Sequence, residues 1–452
     1  MRKFQSIDPN GNLIQTFEFE KDEQILQKID ICHSNYEQFS QTSIQERQQK
    51  LLKLSELLES NCENDAKIIS EEMGKPLQQA IGEVKKSAAH CRYYAENLEQ
   101  FLQPTEFNVN GQKQQVYYES TGVIYIITPF NFPHFQIFKP AIANLALGNT
   151  VLVRTADSTP RVGLNIEQRF KEAGFENSYI NIFSSPQQLE LILSNKKIQG
   201  VNFTGSSGAG AFISQVAGKY LKKSVMELGG SDPFIVLEDA DINQAVQLAV
   251  KGRLFNCGQV CCASKRFIIH HQIYEEFKQQ LIQEVQKQKI GDPLEPTTQI
   301  GPMARADLVN SIDNQLKRAI EQGGRLLLGG EKLDQPGNYY KPAIIEIDNL
   351  QNILFNEETF GPIFPLYQYK NEKQAIQIAN DTEYGLGSVV IGQSEHALKV
   401  AKKIKSGMTF VNTITASNSA LPFGGIKRSG YGRECGIYGF AEFANTKLLW
   451  LE

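Results

Sequence analysis

Three short segments carry residue types that together suit covalent chemistry at a carbonyl carbon. Asn256-Cys257-Gly258-Gln259-Val260-Cys261 offers a soft thiol nucleophile in Cys261. Glu227-Leu228-Gly229-Gly230 offers a carboxylate, Glu227, able to activate water. Thr128-Pro129-Phe130-Asn131-Phe132-Pro133 offers a side-chain amide, Asn131, able to hold an oxyanion. Used together they would form a thioester and then hydrolyse it. Singly, each has an ordinary alternative: a buried inert cysteine, a carboxylate at a strand end, an asparagine in a turn.

The elements that must position these residues follow from the bulk of the chain. At 452 residues it is too long for one core, so two or three domains are expected. A net charge of −4 leaves no basic excess for nucleic acid or an anionic membrane. The six histidines are scattered without metal-ligand spacing, so no metal is expected. Met1 to Pro9 has no apolar run behind its basic residues, and no stretch reaches the roughly 18 apolar residues of a membrane span. Seven cysteines, an odd count, point to reduced thiols and a cytoplasmic address.

Residues 20 to 100 have helical periodicity. Val109-Asn110-Gly111-Gln112 predicts the turn of a β-hairpin. From Gly122 short apolar strands (Val123 to Ile127, Thr150 to Val153, Tyr179 to Phe183, Gly200 to Phe203) alternate with helix-like segments near 158–173 and 206–217. A second alternating region starts near Asp232 and runs past Val411. The fold class expected is α/β, with parallel sheets wound by helices. The tail Lys447-Leu448-Leu449-Trp450-Leu451 reads as a strand needing a partner, in this chain or in a second subunit.

With Leu421-Pro422-Phe423-Gly424-Gly425-Ile426-Lys427-Arg428-Ser429-Gly430-Tyr431-Gly432-Arg433-Glu434 added, the chain resembles the aldehyde dehydrogenase superfamily over nearly its whole length. It is most similar to the short bacterial form of the succinate-semialdehyde dehydrogenase branch. The resemblance implies a Rossmann-like cofactor domain over 1–101 and 121–228 and an α/β catalytic domain over 229–436. It also implies a small β oligomerisation element from 102–120 and 437–452, and with it a homodimer or homotetramer. The roles it implies are Cys261 as nucleophile, Glu227 as general base, and the Asn131 amide with the Cys261 N–H as oxyanion holder. Cys262 and Cys257 either pack beside the nucleophile or trap it reversibly as a disulfide.

A dinucleotide is the cofactor implied. The turn Thr204-Gly205-Ser206-Ser207-Gly208-Ala209-Gly210 opens a helix and lacks the usual Gly-x-Gly-x-x-Gly pattern, but Gly205, Ser206 and Gly210 match the family's variant. In Asn356-Glu357-Glu358-Thr359-Phe360, the resemblance assigns Glu358 to the nicotinamide ribose and Phe360 to the ring. Thr128, Pro129, Phe130 and Leu228 complete the expected cofactor contacts. Where relatives carry a Lys and often a Glu for the adenosine ribose, this chain has Arg154 and Asp157. The carboxylate would repel a 2′-phosphate and the guanidinium would attract one, and the balance favours NAD over NADP.

A semialdehyde acid needs a cation or hydroxyls for its far carboxylate. Lys139 stands where relatives often have an Arg, and Phe255 stands where some have another. Arg253, Thr415 and Ser417 are further candidates, with Phe135 and Phe255 as apolar lining. A broad aliphatic or aromatic aldehyde dehydrogenase remains the alternative. A CoA-acylating relative is disfavoured by Glu227, and a cofactor-free thiol hydrolase would need neither the glycine turn nor Glu358.

Overall fold

A computed structural model describes residues 2–451; Met1 and Glu452, the outer limits of the expected first and last segments, lie outside the described residues. Four helices fill the first hundred residues: Asp22–Phe39, Ile44–Ser60, Cys62–Met73 and Leu77–Leu102. Before them stands a hairpin, Lys3–Ile7 against Leu13–Glu18, that the sequence pattern did not reveal. Its apolar alternation is weak, because only Ser6 and Phe17 are buried in it. A ring cluster of Phe4, Phe17, Phe19 and Phe183 holds it to the body.

Two parallel sheets carry the α/β architecture. In the first, Tyr179–Ile182, Thr150–Arg154, Val123–Ile127, Ile198–Thr204 and Lys223–Glu227 lie side by side in that order, all parallel. Val123–Ile127 is buried at every position, as a strand covered on both faces must be, which explains its unbroken apolar run. The chain order reverses between this strand and Ile198–Thr204, so a crevice opens beyond their carboxyl ends. Asn131 follows the first of these ends and Gly205 the second.

The second sheet orders Arg325–Leu328, Ala343–Glu346, Ile363–Tyr369, Ser264–His270, Asp232–Val236, Val389–Ile391 and Phe410–Val411, parallel except for the first strand. Late in the chain, Gly430–Tyr431 returns to pair antiparallel with the first sheet, Gly430 opposite Glu227. A third sheet joins Thr105–Val109, Gln112–Glu119 and the tail strand Asn445–Leu449. The tail therefore pairs within its own chain. The hairpin turn is made by Asn110 and Gly111, both left-handed at φ 54° and 83°, as a two-residue turn of this hand requires. Among the described residues no helix is long and apolar enough to cross a membrane.

Arg253 belongs to this framework. It is fully buried, and its guanidinium donates to the carbonyl oxygens of Ile363 (2.7 Å), Thr359 (2.8 Å), Ser264 (3.4 Å) and Gly361. Four of its five N–H groups are committed to backbone carbonyls and it does not line the cavity beside Cys261, so the expectation that it binds substrate is corrected: it ties the helix Ile242–Leu254 to the loop before Ile363–Tyr369. Arg253→Met should strand those carbonyls and destabilise the fold by about 3 kcal/mol, lowering the unfolding temperature while leaving the preference among substrates unchanged. A variant of wild-type stability with altered substrate preference would contradict this role.

Candidate active site

Cys261 lies in the loop between the helix Ile242–Leu254 and the strand Ser264–His270. The approach to it is strained. Asn256, Cys257 and Gly258 are successively left-handed, at φ 52°, 54° and 74°, which costs about 1–3 kcal/mol at each non-glycine. Only a glycine fits at 258, where a Cβ would come within 2.4 Å of the Gly361 carbonyl oxygen. The strain is held by hydrogen bonds: the Asn256 N–H donates to Gln79 Oε1 (2.8 Å) and Asn256 Nδ2 to the Asn131 carbonyl (2.8 Å). Gln259 Nε2 donates to the Asn256 carbonyl (3.1 Å), and Gln259 Oε1 accepts from the Ala304 N–H (3.0 Å). Gln259 and Asn256 were not singled out from the sequence, because their role depends on partners far along the chain.

Cys261 and Gln136 line two cavities that meet at the thiol. The first, of about 220 Å³, is walled by Phe132, Phe135, Phe255, Ile414 and Phe423, with Lys86, Lys139, Thr415 and Ser417 among its polar groups. The second, of about 320 Å³, holds Asn131 and Glu227 together with Pro129, Phe130, Gly205, Ser206, Glu358 and Phe360. The structure thus brings Cys261, Glu227 and Asn131 to one place from three separate elements.

Glu227 is 2% exposed, and among the described residues no N–H or O–H group donates to its carboxylate; the Cys261 thiol is its polar neighbour. Burial, reinforced by the neighbouring Cys261, pushes its pKa well above the usual carboxylate range. Cys261 is also raised, by its hydrogen bond to Cys262 and by burial, against which Lys139 and Lys265 pull down. Asn131 Nδ2 donates to the Gln259 carbonyl (2.9 Å), which occupies one of its two N–H groups and leaves the other for a ligand. Cys257 is buried in the core of the second sheet, where burial pushes its thiol up to about 12. Cys262 sits in a small cluster with Leu386, Phe423 and Cys435.

Several residues not anticipated from the sequence complete the site. Lys265 is buried and donates both to the Cys261 carbonyl and to Glu358 Oε1 (2.6 Å), coupling the loop to the second cavity. Glu434 forms a buried ion pair with Lys139. Burial works to lower the Lys139 ammonium, but the carboxylates of Glu434 and Glu227 outweigh it and hold it above its ordinary value.

The second cavity fits a dinucleotide. It lies at the switch point of the first sheet, and the turn at its floor is closely packed at two glycines: a Cβ on Gly205 would meet the Phe203 ring at 2.4 Å, and one on Gly210 would meet Leu228 at 2.4 Å. At Gly229 a Cβ would meet Glu358 Oε2 at 2.2 Å. Ser206 caps the helix Ser207–Lys219, and buried Thr204 Oγ1 has no partner. Beyond the turn, a further recess is lined by Tyr125, Ile127, Arg154, Leu189, Phe203 and Phe212. Arg154 Nη2 pairs there with Asp157 at 2.8 Å, and its Nε donates to the Ser184 carbonyl. Four expected contacts, Thr128, Asp157, Gly210 and Leu228, lie outside both linings. Thr128 turns towards the Arg154 carbonyl, and the Leu228 side chain packs on Gly210 while its N–H donates to the Ser429 carbonyl.

Of the expected substrate residues, Lys139, Phe135, Phe255, Thr415 and Ser417 line the first cavity and Arg253 does not. Phe255 stacks on Phe132, with centroids 6.0 Å apart.

Comparison with known proteins agrees with this geometry. The sequence profile described as "Aldehyde dehydrogenase family" matches residues 1–449. A probable NADP(+) succinate-semialdehyde dehydrogenase of Synechocystis is 38% identical over 449 residues, covering 99% of each chain. The succinate semialdehyde dehydrogenase Sad of Escherichia coli, named for NAD(P)+, is 37% identical over 448 residues, covering 98% of this chain and 97% of its own. The crystal structure of succinic semialdehyde dehydrogenase from Streptococcus pyogenes with NADP+ superposes with a TM-score of 0.97 at 37% identity, covering 99% of each chain. The thiol, carboxylate and amide meeting beside a dinucleotide crevice are those of an aldehyde dehydrogenase, and this chain belongs to the aldehyde dehydrogenase family.

Proposed function

We propose that this enzyme oxidises succinate semialdehyde to succinate with a nicotinamide dinucleotide. The observation that carries the reading is the position of Cys261 at the meeting of two cavities, one fit for a dinucleotide and the other narrow, apolar-walled and lysine-bearing. The names of the similar proteins support the same substrate.

In this reading the Cys261 thiolate adds to the aldehyde carbon. The oxyanion accepts from the Asn131 N–H not used by Gln259 and from the Cys261 N–H. The Gly205 turn, Glu358 and Phe360 would hold a nicotinamide dinucleotide, which would supply the hydride acceptor needed for the adduct to become a thioester. Glu227 then removes a proton from water, the hydroxide attacks the thioester, and the Cys261 thiolate leaves as the acid is released. The apolar walls exclude other water from the thioester.

The relatives give no support to a preference for NAD: the names of two carry NADP(+) or NAD(P)+, and a third was solved with NADP+. The Arg154–Asp157 pair supports use of both cofactors, since Asp157 is partly neutralised and Arg154 can turn to a 2′-phosphate. A homo-oligomer is supported by the exposed apolar residues Phe107, Leu448 and Trp450 on the third sheet and its tail.

Two measurements test this reading. Burial raises the pKa of both Glu227 and Cys261, so the basic forms that act are reached at higher pH than for a free carboxylate or thiol. Thiolate formation at Cys261 should make kcat/KM for succinate semialdehyde climb with pH through neutrality, and proton loss from Glu227 should do the same for kcat where release of the acyl group limits turnover; profiles already flat from neutral pH would contradict this. Asp157→Asn should raise the NADP-to-NAD ratio of kcat/KM by about tenfold, as expected when a guanidinium loses its internal carboxylate. An unchanged ratio would show that the pair does not govern cofactor choice.

A further inference from the structure

The first cavity holds a cation, Lys86, that no local sequence pattern marks. Lys86 projects from the helix Leu77–Leu102, and its Nζ contacts Ser417 Oγ at 2.5 Å and lies 4.4 Å from the centre of the Phe135 ring. Among the described residues it makes no ion pair, although Glu83 stands close by. Glu83, three residues earlier on the same helix, is committed to Lys75 and to the N–H groups of His134 and Phe135, each at 2.9 Å. Glu434 is committed to Lys139. The charges of Lys139 and Glu434 cancel. The cavity therefore carries the uncompensated positive charge of Lys86, with exposed Lys251 as the other cation in its lining. An ammonium half-buried against aromatic rings with only a hydroxyl for company is poorly solvated, and burial lowers its pKa. A carboxylate entering the cavity would relieve that cost, and an uncharged aldehyde would not.

We propose that Lys86 and the Ser417 hydroxyl together anchor the distal carboxylate of the substrate, the task the sequence pattern assigns to Lys139. This rests on the semialdehyde acid as substrate. Lys139, bound to Glu434 and within the field of Glu227, is instead a positioning residue for the carboxylates behind the nucleophile.

The test compares wild type, Lys86→Met, Lys86→Arg and Lys139→Met on succinate semialdehyde and hexanal. Lys86→Met should lower the ratio of kcat/KM for succinate semialdehyde over hexanal by roughly 10- to 100-fold, mainly through KM, the range expected for one lost charged hydrogen bond. Lys86→Arg should recover part of it. A second readout needs no turnover: without dinucleotide, succinate should slow alkylation of Cys261 by iodoacetamide in wild type and not in Lys86→Met. A wild type that does not prefer succinate semialdehyde overturns both the substrate and the anchor. A preference that survives Lys86→Met but collapses in Lys139→Met overturns the anchor alone and leaves the substrate standing.

Discussion

A carboxylate buried away from water is costly, and the site is arranged around one. Glu227 ends a strand of the first sheet, where its position is fixed twice, by parallel pairing with Thr204 and by antiparallel pairing with Gly430. Taking the carboxylate out of water disfavours its charged form, so the proton stays on until a basic partner or higher pH removes it. A carboxylate satisfied by N–H groups would be a far weaker base. Burial is therefore what makes Glu227 useful, and the surrounding fold must supply the stability it does not. Lys139 and Glu434 stand behind it as a paired charge, so that the pocket floor is polar without being strongly charged.

The same trade recurs in the nucleophile loop. Three consecutive left-handed residues are unfavourable, yet they turn the chain so that Cys261 emerges between the two cavities. The side chains of Gln79, Asn256 and Gln259 pin that turn, and Lys265 fastens the Cys261 carbonyl to the acid of the cofactor cavity. Arg253 secures the preceding helix from inside. Strain at the reacting centre is thus balanced by buried hydrogen bonds one layer away.

Much of this was legible in the sequence where a local pattern carries it. The alternation from Gly122 onward marks the parallel sheets, because strands covered on both faces must be apolar throughout. Asn110-Gly111 marks the hairpin, because few residue pairs accept two left-handed angles. Cys261, Glu227 and Asn131 stand out as a set because their types and surroundings agree. What was not legible depends on pairing across long stretches of chain. Nothing near Arg253 says that it faces carbonyls more than a hundred residues away, and nothing near Lys139 says that Glu434 cancels its charge. Lys86 looks like any lysine on an amphipathic helix until the loop bearing Ser417 closes over it. The N-terminal hairpin was missed because its buried contacts come from rings scattered over the chain.

The account's central claim is that Cys261 holds the acyl group covalently and that Glu227 is needed only to release it. Mass spectrometry of Glu227→Gln, quenched in acid after mixing with succinate semialdehyde and dinucleotide, tests this directly. The account predicts one succinyl group per chain, located on the peptide bearing Cys261, with one equivalent of reduced dinucleotide formed. An unmodified Cys261 in a folded variant that still consumes aldehyde, or an acyl group on another residue, would contradict it.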